Sequence, residues 1–66
     1  MLNAIKKARL VAGITQVDLA ARLGVTNGAI GQWEKGITRP RPARLKRLAA
    51  ILGTTVDALI EDWEEQ

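Results

Sequence analysis

The spacing of three residues in the middle of the chain most constrains what the sequence can fold into. Ala20, Gly24 and Val25 lie within residues 16–35, QVDLAARLGVTNGAIGQWEK. A small residue lets two helices cross closely, a glycine accepts the positive φ that follows a helix end, and an apolar residue fills the corner. Apolar residues on both sides keep helical spacing: Leu19, Ala20 and Leu23, then Ala29, Ile30 and Trp33. We therefore predict two short helices joined by a tight turn.

This pattern is that of a helix-turn-helix, with an ordinary αα-hairpin as the alternative. Thr15 and Thr26 directly precede the two predicted helices. A threonine oxygen there can accept hydrogen bonds from the free N–H groups of the first helical turn. Because the small residue, the glycine, the apolar corner residue and the Ile30/Trp33 pair agree, we favour the helix-turn-helix.

The second helix of this motif has an unusual outer face. Asn27, Gly28, Gly31, Gln32 and Lys35 share that face at helical spacing. Each glycine inside a helix costs roughly 1 kcal/mol relative to alanine. Amides and glycines together suit close approach to a hydrogen-bonding surface, and Asn and Gln can bond adenine bidentately in the DNA major groove. A solvated polar face on a poor helix is the alternative, but the position within the motif favours the groove.

Composition restricts the function classes. The chain has 66 residues, no cysteine and no histidine, so it offers no thiolate and lacks the commonest general base and metal ligand. The clustered acids at the chain end have no expected pocket. We therefore expect one domain with no enzymatic activity, no metal and no cofactor. No apolar run is long enough to cross a bilayer, and no secretory signal opens the chain, so we expect a cytoplasmic location.

Charge is divided unevenly along the chain, although the net charge is only +3. Residues 1–47 contain all ten basic residues and only two acids, Asp18 and Glu34, whereas residues 48–66 contain five acids. A basic body with an acidic end suits a surface that faces phosphates and an end that faces away from them. Scattered charge on a soluble protein is the alternative, and the neighbouring motif favours nucleic acid.

Three further helices complete a predicted all-α, five-helix bundle over residues 1–66, with helices at about 2–12, 16–23, 27–35, 42–52 and 56–63. Ile5, Ala8 and Ala12 space as the buried stripe of the first helix, and Leu10 and Val11 fall outside it. The last two helices repeat a core spacing: Leu45, Leu48, Ala49 and Leu52, then Val56, Leu59, Ile60 and Trp63. Trp63 either closes the core or lies on a partner surface, and the pattern leaves both open.

The segment GITRPR, residues 36–41, predicts a loop that Pro40 and Pro42 stiffen. The loop brings Arg39 and Arg41 close to the end of the second motif helix. The forked guanidinium groups suit bidentate contact with phosphates. A merely solvated loop is the alternative. For Arg44 and Arg47, on the next helix, we expect solvation.

The whole pattern resembles the five-helix helix-turn-helix domain of phage repressor and Cro proteins. The similarity runs from about Leu2 to Ile60. It rests on the segments ITQVDLAARLGV, TNGAIGQWEKG, TRPRP and LAAILGTTVDALI. Within them, NGAIGQWE is especially close to the lambdoid repressor pattern. The resemblance implies a lambda-repressor-like fold whose recognition helix, residues 27–35, enters the major groove.

The resemblance also implies roles for individual residues. The expected base-contacting residues are Gln16, Asn27, Gly28, Gly31 and Gln32. The expected phosphate-contacting residues are Thr26, Lys35, Arg39 and Arg41. Arg9 and Glu34 match a salt bridge that ties the first helix to the recognition helix. The sequence departs from the family at Gly28, where relatives usually carry a side chain that contacts a base.

Family members bind pseudo-palindromic operators as dimers. The interface implied here comprises Thr54, Thr55, Val56 and Trp63, and the two recognition helices would lie about 34 Å apart, one turn of DNA. We expect a homodimer that is weak off DNA and no small-molecule effector. Full repressors add a C-terminal dimerisation domain, so we expect either a Cro-sized regulator or an excised repressor domain.

The leading hypothesis is therefore a sequence-specific, double-stranded DNA-binding transcriptional regulator, a Cro-like repressor that occupies an operator. The alternative is an antitoxin or adaptor that uses the same fold to bind a protein partner through the fifth helix and the acidic tail. Binding to DNA with a steep salt dependence, lost on changing Gln32, would favour the first. A helix that orders only with a partner would favour the second.

Overall fold

A computed structural model describes residues 3–63, which form five α-helices and no strand. The helices are α1 (Ala4–Val11), α2 (Gln16–Leu23), α3 (Asn27–Lys35), α4 (Pro42–Leu52) and α5 (Val56–Leu59). This confirms the predicted all-α fold with a helix-turn-helix, which α2 and α3 form. No helix in the described range is long and apolar enough to cross a membrane.

One hydrophobic core joins all five helices. Each contributes a large side chain that is almost wholly buried: Ile5, Leu19, Ile30, Leu48 and Leu59. Burial of such a side chain is worth about 1.5–3 kcal/mol, so a small chain gains most of its stability here. The predicted apolar faces of α2 and α4 are buried throughout, and Ala29, Val25 and Trp63 pack against the core while remaining partly exposed.

Side-chain caps begin four of the helices. Asn3, Thr15, Thr26 and Thr55 each accept a hydrogen bond from the amide three residues later, at 2.9–3.1 Å. Each such cap is worth about 1 kcal/mol. α4 has no side-chain cap and begins instead with Pro42, whose fixed φ suits a first helical turn. The caps at Thr15 and Thr26 confirm the sequence prediction, whereas the cap at Asn3 was not predicted.

The turn between α2 and α3 depends on Gly24. Its φ of 74° is in the left-handed region, where a side chain would be strained. The amides of Gly24 and Val25 both donate to the carbonyl oxygen of Ala20, at 2.9 and 3.0 Å. These bonds close the end of α2 and turn the chain into α3, as the sequence predicts.

The predicted bounds of α1, residues 2–12, were too wide. Asn3 and Ala12 are its caps, so the helix is shorter at both ends, and Leu2 lies outside the described residues. Ala12 is exposed and does not extend the buried stripe, because the chain already leaves the helix there. Ala4 and Arg9 are the buried residues that spacing missed.

The predicted bounds of the fifth helix, residues 56–63, were also too wide. Ile60 has a φ of −109°, so the chain leaves α-helical geometry after Leu59. It continues through a tighter turn in which the amide of Trp63 donates to the carbonyl of Ile60 at 2.9 Å. This turn places Asp62 at the start of α1, where its Oδ2 accepts a hydrogen bond from the Ala4 amide at 3.0 Å. The predicted fraying of residues 64–66 lies outside the described residues.

Candidate nucleic-acid interface

A buried ion pair supports α3 from behind. The Arg9 guanidinium donates from Nε to Glu34 Oε2 at 2.6 Å and from Nη2 to Oε1 at 3.1 Å. The two side chains are only 8% and 3% exposed. Arg9 Nη1 also donates to the carbonyl of Ile14 at 2.9 Å. The expected salt bridge between α1 and α3 is therefore present, and it also fixes the segment that enters α2.

The hydrogen bonds that Arg9 donates to Glu34 raise the pKa of Arg9 more than burial lowers it. The guanidinium is therefore charged at neutral pH, because even its ordinary pKa is far above neutrality. Removing one partner of such a pair leaves the other charge buried and unpaired. The pair thus holds α3 in one orientation.

Gln16, the first residue of α2, joins this network. Its Nε2 donates to Glu34 Oε1 at 3.0 Å, and the residue is half-buried. The amide oxygen has no protein partner among the described contacts and can accept a bond from outside. Gln16 was predicted as a base-contacting residue. The structure places its side chain against Glu34, next to the ion pair with Arg9.

The outer face of α3 carries the predicted base-contacting residues. Asn27, Gly28 and Gln32 are exposed, and Gly31 is half-buried. Neither glycine has a positive φ. A Cβ built on Gly31 would meet nothing within 4 Å, and one on Gly28 would lie 3.8 Å from the Thr26 hydroxyl, an ordinary contact. The folded chain itself therefore gives no reason for glycine at either position.

The loop after α3 folds back onto the same face. The amide of Ile37 donates to the Gln32 carbonyl at 2.9 Å, and the Thr38 hydroxyl lies 3.4 Å from Gln32 Oε1. The hydroxyl of Thr38 can donate to that oxygen, which leaves the Gln32 amide nitrogen to donate outward. The loop thus touches the side chain most suited to contact a base.

The predicted phosphate-contacting residues lie at the two ends of α3 and in the loop that follows it. Lys35, Arg39 and Arg41 are exposed, as is Thr26, whose hydroxyl caps α3. Lys35 ends α3, and Arg41 directly precedes α4. The guanidinium carbon of Arg39 lies 4.5 Å from the centroid of the Trp63 ring, a cation–π contact that the sequence did not predict.

Two arginines of α4 have a structural contact that sequence reasoning missed. Arg44 Nη1 donates to the carbonyl of Leu23 at 3.3 Å, and Arg47 Nη2 donates to the carbonyl of Arg22 at 3.1 Å. Both acceptors are among the last carbonyls of α2, where cations are favourable. Arg47 is exposed, as expected, and Arg44 is half-buried. Their contacts were not predicted, because they arise from the packing of α4 against the end of α2.

The residues predicted for a dimer surface lie between the end of α4 and the turn that follows α5. Thr54, Val56 and Trp63 are half-buried, and Thr55 is exposed and caps α5. Thr54 also lines an open cavity of about 290 Å³ between α1, the end of α4 and the segment from α5 to Glu61. Their role in a dimer stays a prediction.

A family model described as helix-turn-helix matches residues 5–59, most of the chain. The chain belongs to the helix-turn-helix family of phage repressor and Cro type. This helix-turn-helix chain is 46% identical over 52 residues to the 26 kDa repressor protein of Escherichia phage HK022. It is 34% identical over 62 residues to an uncharacterized HTH-type transcriptional regulator, YonR, of the SPbeta prophage in Bacillus subtilis strain 168.

The alignments cover 79% and 94% of the helix-turn-helix chain. They span only 22% of the phage repressor and 57% of the prophage regulator. No solved structure gives a significant match. The similarity therefore establishes the family of this chain. It does not extend to the remaining parts of the two full-length relatives.

Proposed function

We propose that the chain is a sequence-specific DNA-binding transcriptional regulator, a Cro-like repressor that places α3 in the major groove of an operator. The observation that carries the proposal is the outer face of α3. Its exposed amides at Asn27 and Gln32 flank two glycines whose small size the fold does not require. Such a face is expected where a helix must approach base edges closely.

Affinity would come mainly from the exposed cations beside that face. Lys35, Arg39 and Arg41 follow one another at the end of α3 and along the next loop. Contacts from such residues to phosphates release counterions, so the observed binding constant falls steeply with salt. These contacts set the register on the duplex, whereas Asn27 and Gln32 would select the sequence.

We further propose that two copies bind a pseudo-palindromic site. Family membership supports this arrangement, and the residues predicted for contact between the copies are Thr54, Thr55, Val56 and Trp63. The described residues expose few large apolar side chains: Leu10, Val11, Val17 and Ile37. A small apolar surface favours a weak dimer that DNA tightens.

A protein-binding adaptor has less support from the structure. Two features that suggested it, Asp62 and Trp63, have partners within the same chain. Asp62 caps α1, and the ring of Trp63 lies under Arg39 while packing against the core. Asp62 thus has a structural use that needs no partner.

The experiment that tests the proposal is selection of bound DNA from a random duplex pool, followed by titration of the selected duplex at several salt concentrations. We expect a two-fold-symmetric site, bound at least about a thousandfold more tightly than random DNA. Recovery of no preferred sequence, with only weak salt-sensitive binding, would refute operator recognition.

A matched pair of lysine variants tests which face binds. K35A should lower affinity and reduce the salt slope by about 0.9, because one phosphate contact is lost. K7A removes the same charge from α1, where Lys7 lines the cavity shared with α4 and α5. We expect K7A to leave the slope nearly unchanged. Equal losses from both variants would mean that net charge, and not the face of α3, governs binding.

A further inference from the structure

The loop that follows α3 contacts the last described residue of the chain. The guanidinium carbon of Arg39 lies over the ring of Trp63, 4.5 Å from its centroid. Trp63 is half-buried against the hydrophobic core, and its amide is bonded to the Ile60 carbonyl at 2.9 Å. The indole is therefore a fixed surface and not a freely moving terminal side chain.

The neighbours of Arg39 place it beside the outer face of α3. Thr38, directly before it, lies within hydrogen-bond distance of the Gln32 side chain, which is on that face. Pro40, directly after it, is buried and anchors the loop. Arg39 itself is exposed. Thr38, Pro40 and Trp63 thus restrict the position of Arg39. The residue nevertheless remains exposed to solvent.

Stacking suits a guanidinium that must also bind an anion. The planar group uses its face for the aromatic ring, and its N–H donors lie in the plane, directed outward. Those donors match the two oxygens of a phosphate. An arginine already held in this way loses less side-chain freedom when it binds, which strengthens binding without any new contact.

We propose that Trp63 is a positioning residue for DNA binding: its indole holds the Arg39 guanidinium beside the outer face of α3, ready for bidentate contact with a backbone phosphate. The inference rests on the proposed function and extends it. It gives Trp63, which the family resemblance places at a dimer surface, a role within its own protomer. The end of the chain would then contribute to affinity without touching DNA.

A double-mutant cycle on the selected duplex tests this, using wild type, R39A, W63L and R39A/W63L. Leucine keeps an apolar contact with the core but offers no ring. We expect R39A to weaken binding and reduce the salt slope by about 0.9. W63L should weaken binding roughly two- to fivefold when Arg39 is present, as expected for one exposed cation–π contact. In the R39A background, W63L should have no further effect.

W63F is the conservative control, because phenylalanine retains an aromatic face, although a weaker one than tryptophan. It should recover part of the affinity that W63L loses. Circular dichroism establishes which variants are folded. If W63L does not fold, the same double-mutant cycle with W63F tests the inference. The expected coupling between residues 39 and 63 is then smaller but not zero.

Three results would overturn the inference: W63L binding as wild type does, W63L binding more tightly, or an equal loss with and without Arg39. Tighter binding would mean that the stack withholds Arg39 from phosphate. An equal loss would mean that Trp63 acts through stability or dimerisation. Failure of wild type to bind any duplex would instead refute the proposed function itself, so the two failures are distinct.

Discussion

Replacement of Gly31 by alanine should stabilise the folded protein and weaken its binding to DNA. Gly31 lies in the interior of α3, has no positive φ, and has open space where a Cβ would go. Alanine there meets no steric cost in the free protein. If α3 approaches base edges closely, the added methyl group is placed in the interface.

The size of the stabilisation follows from helix propensity. Glycine in a helix interior is about 1 kcal/mol less favourable than alanine, chiefly because the unfolded glycine chain has more freedom to lose. For a domain of this size, about 1 kcal/mol raises the unfolding temperature by about 4–8 °C. Thermal unfolding followed by circular dichroism at 222 nm, a wavelength sensitive to helix, measures this shift.

Gly53 supplies a matched control with the opposite sign. Its surroundings also leave a Cβ free of contacts, but its φ is +68°. Alanine in the left-handed region is strained by roughly 1–2 kcal/mol, so G53A should lower the unfolding temperature. Glycine-to-alanine substitution should therefore stabilise the protein at residue 31 and destabilise it at residue 53. Because the added methyl group is the same, the difference reports the backbone conformation.

The affinity of G31A for DNA tests whether α3 approaches base edges closely at residue 31. Titration of the selected duplex should show that G31A binds at least about tenfold more weakly than wild type, which corresponds to about 1.4 kcal/mol. G31A that is more stable and binds equally well would refute close approach at this residue. A loss of stability in G31A would instead refute the conformational account of α3.

Two further predictions concern the supports of the fold. Either R9M or E34M should lower the free energy of unfolding by about 3–5 kcal/mol, because the remaining charge is buried without its partner. The double variant should lose less than the sum, and additive losses in chemical denaturation would contradict a coupled pair. D62A should cost about 1 kcal/mol by removing the cap of α1, measured in the same way, and should leave affinity for DNA unchanged. A large loss of affinity in D62A would show that the acidic end has a second role.

The predicted bounds of α2, α3 and α4 agree with the structure, and each of these helices has a sequence signal at both ends. Thr15 and Gly24 enclose α2, Thr26 and Gly36 enclose α3, and α4 runs from Pro42 to Gly53. A cap and a left-handed glycine are local features, so they are visible without the fold. No glycine follows α5, and spacing alone extended it too far.

The contacts that the sequence did not predict are made between distant parts of the chain. Asp62 with Ala4, Arg47 with the end of α2, and Arg39 with Trp63 all depend on how the helices pack. Periodicity predicts which face of a helix a residue lies on. It does not predict which part of another helix that face packs against. Arg9 and Glu34 were paired through the family resemblance, since their burial has no signal in spacing.

The pairing of Arg9 with Glu34 also fixes the angle at which α3 is turned about its own axis. Apolar contacts such as those of Ile30 tolerate small rotations, because the hydrophobic effect is not directional. A bidentate ion pair does not, and a rotation of one residue, about 100°, would separate the two buried charges. The side of α3 that faces outward is thus set by a polar contact on the opposite side. If α3 enters the major groove as proposed, changes to its outer residues will alter which duplex is bound while the angle of presentation stays the same.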